Sequence, residues 1–174
     1  MAKMLENTQP GADTRDFKDA MSMMAAAVQV VTTDGSAGRA GLTVTAACSV
    51  CQEPPRLLVC VNTNASAHPA VIENGRLSLN ILSTEHGDIA AAFGGKLPPE
   101  KRFELGKWTS DELGQPLLEG ACAHFSCSVH ETLQSGTHTI FVCNVHFATG
   151  NKGSLPLVYF DRNMTTLPPT ESRS

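Results

Sequence analysis

From residue 123 to residue 130, apolar side chains alternate strictly with polar ones. A period of two residues places successive side chains on opposite faces of an extended strand, whereas a helix needs a period near 3.6. The apolar set is Ala123, Phe125, Cys127 and Val129, and the polar set is His124, Ser126, Ser128 and His130. This stretch is therefore predicted to be a strand with one dry face and one polar face.

Other apolar runs of strand length recur along the chain and are separated by turn residues. They read VQVVTT, LTVTAA, RLLVCVN, LSLNIL, THTIFVCNVHFATG and LPLVYF. The glycine-containing segment DGSAGRAG between the first two predicts a hairpin. With the alternating stretch, these runs give about seven strands. Strands joined by short turns form an antiparallel sheet, which usually closes to remove its edges, so the predicted fold is mainly β, a barrel with peripheral helices.

Two principal helices are predicted among the strands. The first has Thr14 as a possible N-cap and carries apolar residues at helical spacing, which predicts a stripe packed against the core. That stripe is Phe17, Met21, Met24, Ala25 and Val28. The second lies in STEHGDIAAAFGG, between the cap Ser83 and the stop at the Gly94 and Gly95 pair. Between two strand runs, NASAHPAVIENG allows only a brief helix that ends at Gly75.

The segment KLPPEKRFELGKWTSDELGQPLLEG, residues 96–120, has little periodicity and holds three of the ten prolines. We expect a long surface loop that wraps a ligand or a partner subunit. The length of 174 residues suits one domain. That domain is predicted over residues 15–167, with flexible segments at 1–14 and 168–174.

Charge and composition argue against several classes of protein. The net charge is −4 and no run of Lys or Arg exceeds two residues, so the basic surface that nucleic-acid binding requires is missing. The sequence has neither a signal peptide nor a long apolar span, which predicts a soluble cytoplasmic protein. Aromatic residues make up only 5% of the chain. The core must therefore be aliphatic, and a ligand or partner subunit is expected to complete it.

No metal or catalytic motif stands out. The six cysteines include one isolated C-x-x-C, at Cys48 and Cys51, which favours buried or loop thiols over a redox pair or half a zinc site. The sequence contains no G-x-G-x-x-G, Walker loop, H-E-x-x-H or G-x-S-x-G. No metal site and no catalytic nucleophile are predicted, and any dinucleotide must be held without a Rossmann unit.

Small polar residues cluster at the ends of two predicted strands, in TVTAACSVCQEPP and NTNAS. Their hydroxyl and amide groups can hydrogen-bond a phosphorylated ligand, and the small side chains of Ala46 and Ala47 allow a flat ring to approach the backbone. The residues alone leave two interpretations open: a site for a phosphorylated ring cofactor, or an ordinary pair of turn-rich strand ends.

Several segments together resemble the short-chain flavin reductase family. They are DAMSMMAAAVQVVTTDG, GLTVTAACSVCQEPPRLLVCVNTNAS, NGRLSLNIL, RF at 102–103 and GTHTIFVCNV, in this order across residues 15–162. The chain looks most similar to the reductase component of two-component aromatic hydroxylases, the 4-hydroxyphenylacetate 3-monooxygenase reductase type. This resemblance implies a split β-barrel like that of FMN-binding proteins, a homodimer, FMN or FAD as cofactor, and NADH as donor.

The resemblance also implies roles for individual residues. The stretch that would line the flavin ring is Val44, Thr45, Ala46, Ala47, Ser49, Val50 and Cys51. Asn62 and Ser66 match the ribityl and phosphate positions, Arg102 and Phe103 match a mobile loop near the flavin, and His138 matches a position that contacts NADH. His138 lies in GTHT, where the family more usually has G-D-H, so Thr137 replaces an acid. In sequence, His138 is distant from the predicted flavin residues.

The implied reaction is hydride transfer from NADH to FMN or FAD, which needs no protein nucleophile because both rings carry the chemistry. Reduced flavin would then serve a partner monooxygenase. Two alternatives remain open from the sequence: a reductase of another acceptor, such as a corrinoid, and a non-catalytic flavin-binding electron carrier.

Overall fold

The computed structural model describes residues 11–168, so most of the predicted flexible segments at 1–14 and 168–174 lies outside the described residues. Within this range the chain is mainly β, as predicted. Its strands are β1 Ala26–Ala27, β2 Gln29–Thr33, β3 Ala40–Val44, β4 Ala47–Gln52, β5 Pro55–Asn62, β6 Arg76–Ile81, β7 Trp108–Ser110, β8 Pro116–Leu118, β9 Ala123–Ser135, β10 His138–Gly150, β11 Leu157–Phe160 and β12 Asn163–Thr166.

Seven strands form the main sheet in the order β3-β2-β6-β9-β10-β5-β4, and every neighbouring pair is antiparallel. The two edge strands, β3 and β4, follow each other in the chain and are separated only by Thr45 and Ala46. No ladder joins these two edges in the described residues. The sheet therefore curls into a barrel that stays open along a split, and the chain crosses the split at Thr45 and Ala46.

The sheet encloses one apolar cluster, and a second cluster lies beside it. The first contains Val31, Val59, Leu77 and Phe141, all completely buried. The second surrounds Leu82, Phe93 and Leu118, with Phe103 and Trp108 packed against it. Aliphatic residues fill most of both clusters, as the low aromatic content requires.

The long hairpin of β9 and β10 connects the two halves of the sheet. Cys127 faces the core, as the alternation predicts, but Ser126 on the opposite face is also buried. The expectation of a solvent-facing polar side is wrong at this position, because Ser126 lies beside Ser110 and Leu117 of the β7–β8 hairpin, which also covers β2 and β6. Thr32 Oγ1 donates to Pro116 O at 2.6 Å, and Asn80 Oδ1 accepts the Leu118 N–H at 2.9 Å.

Three α-helices lie outside the sheet in the described range: α1 Thr14–Ser22, α2 His68–Asn74 and α3 Gly87–Ala91. The side chain of Asp13, rather than Thr14, caps α1. The brief helix α2 ends at Gly75 with φ +62°, and the turn that continues α3 contains Gly95 with φ +110°, so both predicted glycine stops are confirmed. No helix among residues 11–168 is long and apolar enough to cross a membrane.

The predicted inward packing of the α1 stripe is wrong for its residues on the helix, whereas Val28, which follows the helix, is buried as predicted. Phe17, Met21 and Met24 are 57%, 45% and 61% exposed. Helix α1 ends at Ser22, before the stripe ends, and its apolar face is turned toward a groove instead of the core.

The expected loop at 96–120 is only partly irregular. It contains a short 3₁₀ helix, Pro99–Glu104, and the β7–β8 hairpin. It packs on the barrel through Phe103, Trp108 and Leu118, so it is an ordered cover of the second apolar cluster.

Candidate functional site

A groove of about 840 Å³ lies between α1 and the split of the sheet. One wall is formed by Thr45, Ala46, Ala47 and Cys48, and the opposite wall by Phe17 and Met21 of α1. Leu58 and Cys60 of β5 and Tyr159 of β11 also line it. The groove is largely apolar. Lys18 adds positive charge to it, whereas the charge of Arg162 is balanced by its ion pair with Asp19. Its shape and lining suit a flat, partly apolar, anionic ligand.

The structure does not bring the whole predicted flavin stretch into this groove. Val44 is buried beside Val28 and Ala90 in an adjoining cleft, to which Thr45 also contributes. Ser49 and Cys51 line another cavity of about 420 Å³, next to Arg56 and Phe125. Val50 is exposed. Adjacent strand residues point to opposite faces of the sheet, and a bulge follows Ser49. The side chains of residues 44–51 therefore face different surfaces of the protein.

Arg102 and Ser66, far apart in sequence, are hydrogen-bonded to each other. Arg102 is only 8% exposed, and its Nη1 donates to Gly41 O at 2.9 Å and to Ser66 Oγ at 3.1 Å. Its Nε donates to Leu97 O at 3.2 Å. No carboxylate of the described residues forms an ion pair with this guanidinium. A buried cation held only by neutral acceptors favours an anionic ligand, such as a phosphate, at Ser66.

Phe103 packs in a cluster of aromatic side chains. Its ring lies 5.0 Å from both Phe93 and Trp108, measured between centroids, and the Arg39 guanidinium lies 5.5 Å from the Phe103 centroid. These contacts anchor the segment that carries Arg102. The structure therefore places Phe103 in the second apolar cluster, next to Arg102 in sequence but outside the groove lining.

His138 is closer to the predicted flavin residues than their sequence separation suggests. It opens β10 directly opposite Asn62 at the end of β5. Directly opposed residues lie on the same face of a sheet. Leu58, Cys60 and Asn62 are two residues apart, so their side chains lie on one face of β5. His138 and Asn62 thus continue the face whose other residues, Leu58 and Cys60, line the groove.

The thiols near the groove are free. Cys48 is exposed and Cys60 is half-buried. Burial, and in addition the neighbouring Cys48, raises the pKa of the Cys60 thiol. Cys51 Sγ donates to Pro54 O at 3.0 Å. Among residues 11–168 no group of His, Cys, Asp or Glu side chains could hold a metal ion.

Sequence reasoning missed the α1 wall of the groove, together with Leu58, Cys60 and Arg162. The sequence signal for this wall was the apolar stripe with Phe17 and Met21, but the same pattern predicts packing against the core. Arg162 pairs with Asp19 of α1. This ion pair links the strand β12 region to the helix, and spacing along the chain does not reveal it.

Comparison with known proteins gives the class of the fold and site. Residues 21–168 match the family model described as "Flavin reductase like domain". A structure described as a putative flavin reductase from Haemophilus somnus superimposes with a TM-score of 0.86 at 36% identity, covering 90% of this chain and all of that one. The flavin reductase PheA2 gives a TM-score of 0.82 at 28% identity. The chain belongs to the flavin reductase-like family, and the predicted split-barrel fold class is confirmed.

Curated relatives with higher sequence identity carry a more specific name. The FMN reductase (NADH) RutF of Stutzerimonas stutzeri is 48% identical over 148 residues, 85% of each chain. The protein of the same name from Agrobacterium fabrum is 46% identical over 152 residues, 87% of each chain.

Proposed function

We propose that this protein is an NADH-dependent flavin reductase, an oxidoreductase that transfers hydride from NADH to FMN or FAD. Its similarity over most of its length to proteins named FMN reductase (NADH) carries the proposal. A neighbour described as a complex with NAD and FAD fragments, 26% identical with a TM-score of 0.83, supports both ligands.

We assign the flavin ring to the groove wall at Thr45–Ala47, where small side chains allow close approach. Val44, Ser49, Val50 and Cys51 would support that wall from neighbouring surfaces. The phosphate would bind Ser66 and Arg102, whose buried charge has no carboxylate partner in the described residues. Asn62 would contact the ribityl chain, while Phe103 would fix the Arg102 segment.

The flavin, when bound, supplies the ring that accepts the hydride, so the chain needs no nucleophile. Its residues position the reactants and exclude water. The α1 residues Phe17 and Met21 would cover the ring from the side opposite Thr45–Ala47. His138 would hydrogen-bond the nicotinamide nucleotide on the sheet face that continues from the groove.

The oligomeric state, the cellular location and the partner enzyme are also part of the proposal. A homodimer is supported by the exposed apolar face of α1, which a second copy would cover. The described cysteines are all free, which suits the reducing cytoplasm. A neighbour described as the styrene monooxygenase flavin reductase, 25% identical with a TM-score of 0.77, supports a partner monooxygenase that receives reduced flavin.

The direct test is NADH oxidation by the purified full chain, with and without FMN or FAD. We expect oxidation only when flavin is present. Flavin binding without NADH oxidation would instead identify an electron carrier. A flavin-independent rate of equal size would contradict the proposal.

His138→Ala tests the donor site. We expect kcat/KM for NADH to fall about tenfold to a hundredfold, the effect of losing one polar contact in the transition state, while the flavin Kd stays nearly constant. His130→Ala, an exposed histidine on the adjacent strand, is the matched control. If flavin binding collapses in His138→Ala while kinetics at saturating flavin remain normal, His138 belongs to the flavin pocket.

A further inference from the structure

The turn before His138 is held by two threonines. Thr137 O accepts the backbone N–H of Thr63 at 2.9 Å and the Thr63 hydroxyl at 3.1 Å. Thr137 Oγ1 lies 3.0 Å from His138 Nδ1. The strand end that carries Asn62 and the turn that carries His138 therefore form one hydrogen-bonded unit.

The hydroxyl contact leaves His138 a single free ring nitrogen. Nδ1 is occupied by Thr137, whose hydroxyl has no second hydrogen-bond partner among the described residues. The 3.0 Å separation fits two arrangements. If Nδ1–H donates to the hydroxyl, Nε2 is an acceptor; if the hydroxyl donates to Nδ1, the ring proton is on Nε2 and Nε2–H is a donor. In the same way, the partner of one nitrogen sets the role of the other in metal-ligating histidines.

We propose that Thr137 is a positioning residue that holds His138 as the Nε2–H tautomer, so that His138 donates to an acceptor oxygen of the nicotinamide nucleotide. This inference rests on the proposed function. Unlike a carboxylate, the Thr137 hydroxyl orients the ring without adding negative charge.

Thr137→Val tests the proposal because it removes the hydroxyl with little change in shape. Thr137 is exposed and its carbonyl bond to Thr63 is retained, so the fold should persist. We expect KM for NADH to rise about three- to tenfold, as for one lost hydrogen bond, with kcat and the flavin Kd nearly unchanged. Thr137→Ser should restore the wild-type KM.

Two further measurements separate positioning from a general structural role. Nitrogen-15 NMR of labelled histidine should show His138 mainly as the Nε2–H tautomer, with that fraction reduced in Thr137→Val. In a His138→Ala background, Thr137→Val should have no further effect on KM. An unchanged tautomer ratio, or additive effects of the two substitutions, would overturn the proposal. The NMR result does not depend on activity, so it can fail or succeed independently of the reductase assignment.

Discussion

Ser66 is the residue at which the proposed phosphate site is most directly tested. Ser66 is exposed, and in Ser66→Ala the Arg102 guanidinium loses one acceptor but keeps its bonds to Gly41 O and Leu97 O, so the fold should persist. We expect the Kd for FMN to rise about tenfold, because a hydrogen bond to a charged group is lost. Riboflavin, which lacks the phosphate, should bind as before. Fluorescence titration measures both ligands, with Ser36→Ala in the exposed β2–β3 turn as control. Equal losses for FMN and riboflavin would exclude a phosphate contact.

His86 makes stability depend on pH. It is 9% exposed, and its Nδ1 accepts the Ser83 N–H at 3.2 Å. Burial lowers the pKa of His86 below its ordinary 6.5, and the charge of nearby His124 acts in the same direction, although Glu85 and a hydrogen bond to the Glu119 backbone oppose them.

Because the folded state favours the neutral ring, this contribution to stability is complete above pH 6.5. It is lost as the pH falls through the lowered folded-state pKa. Urea unfolding across this range should show falling stability. In His86→Asn, whose Oδ1 can still accept from Ser83, the decline should be smaller. The same decline in both proteins would assign it to other groups.

At the scale of the elements, Asn80 fastens the β7–β8 hairpin to the sheet. Its Nδ2 donates to Val30 O and to Thr32 Oγ1, both at 3.1 Å, and its Oδ1 accepts the Leu118 N–H. Asn80→Ala deprives the buried Leu118 N–H of its acceptor and removes one partner each from Val30 O and Thr32 Oγ1, so we expect a loss of about 2–4 kcal/mol in unfolding free energy.

Denaturant titration followed by the fluorescence of Trp108, the only tryptophan, measures this loss. Ser78→Ala is the matched control on the same strand, because the Ser78 hydroxyl reaches only Asp111 Oδ2 at 3.4 Å. Equal losses in the two variants would mean that Asn80 does not specifically fasten the hairpin.

Turn chemistry made some elements predictable. The β2–β3 hairpin and the end of α2 at Gly75 follow from residues that are local in sequence. Strands β1, β7, β8 and β12 contain two to four residues each, too few for periodicity to be visible. β4 lies in a stretch interpreted as polar strand ends, because its pairing with β5 rather than its composition decides its structure.

The candidate site was predictable only through the family resemblance. Ser66 and Arg102 are separated by 36 positions, and no spacing rule joins them. The α1 stripe has the same pattern whether it faces a core or an open groove. Burial of a helix face depends on which surfaces lie beside it, and a single sequence does not contain that information.

At the scale of the whole molecule, the exposed face of α1 tests the proposed homodimer. Phe17→Glu would place a charge in the interface, so we expect a monomer by light scattering. Flavin should bind more weakly, because Phe17 lines the groove and a partner would help to enclose it. Ile72→Glu, at an exposed apolar position on α2, is the control. A Phe17→Glu protein that remains dimeric would exclude this face as the interface.

The β9–β10 hairpin affects the order in which the chain folds. Each strand has 13 residues, and the tight turn at Gly136 makes their pairing local. The base of β9 pairs with β6 and the tip of β10 pairs with β5, so both halves of the sheet dock on this one ribbon. Local pairing has a small loop-closure cost and forms early. The ribbon should therefore act as the folding nucleus, and substitutions within it should slow refolding more than they speed unfolding.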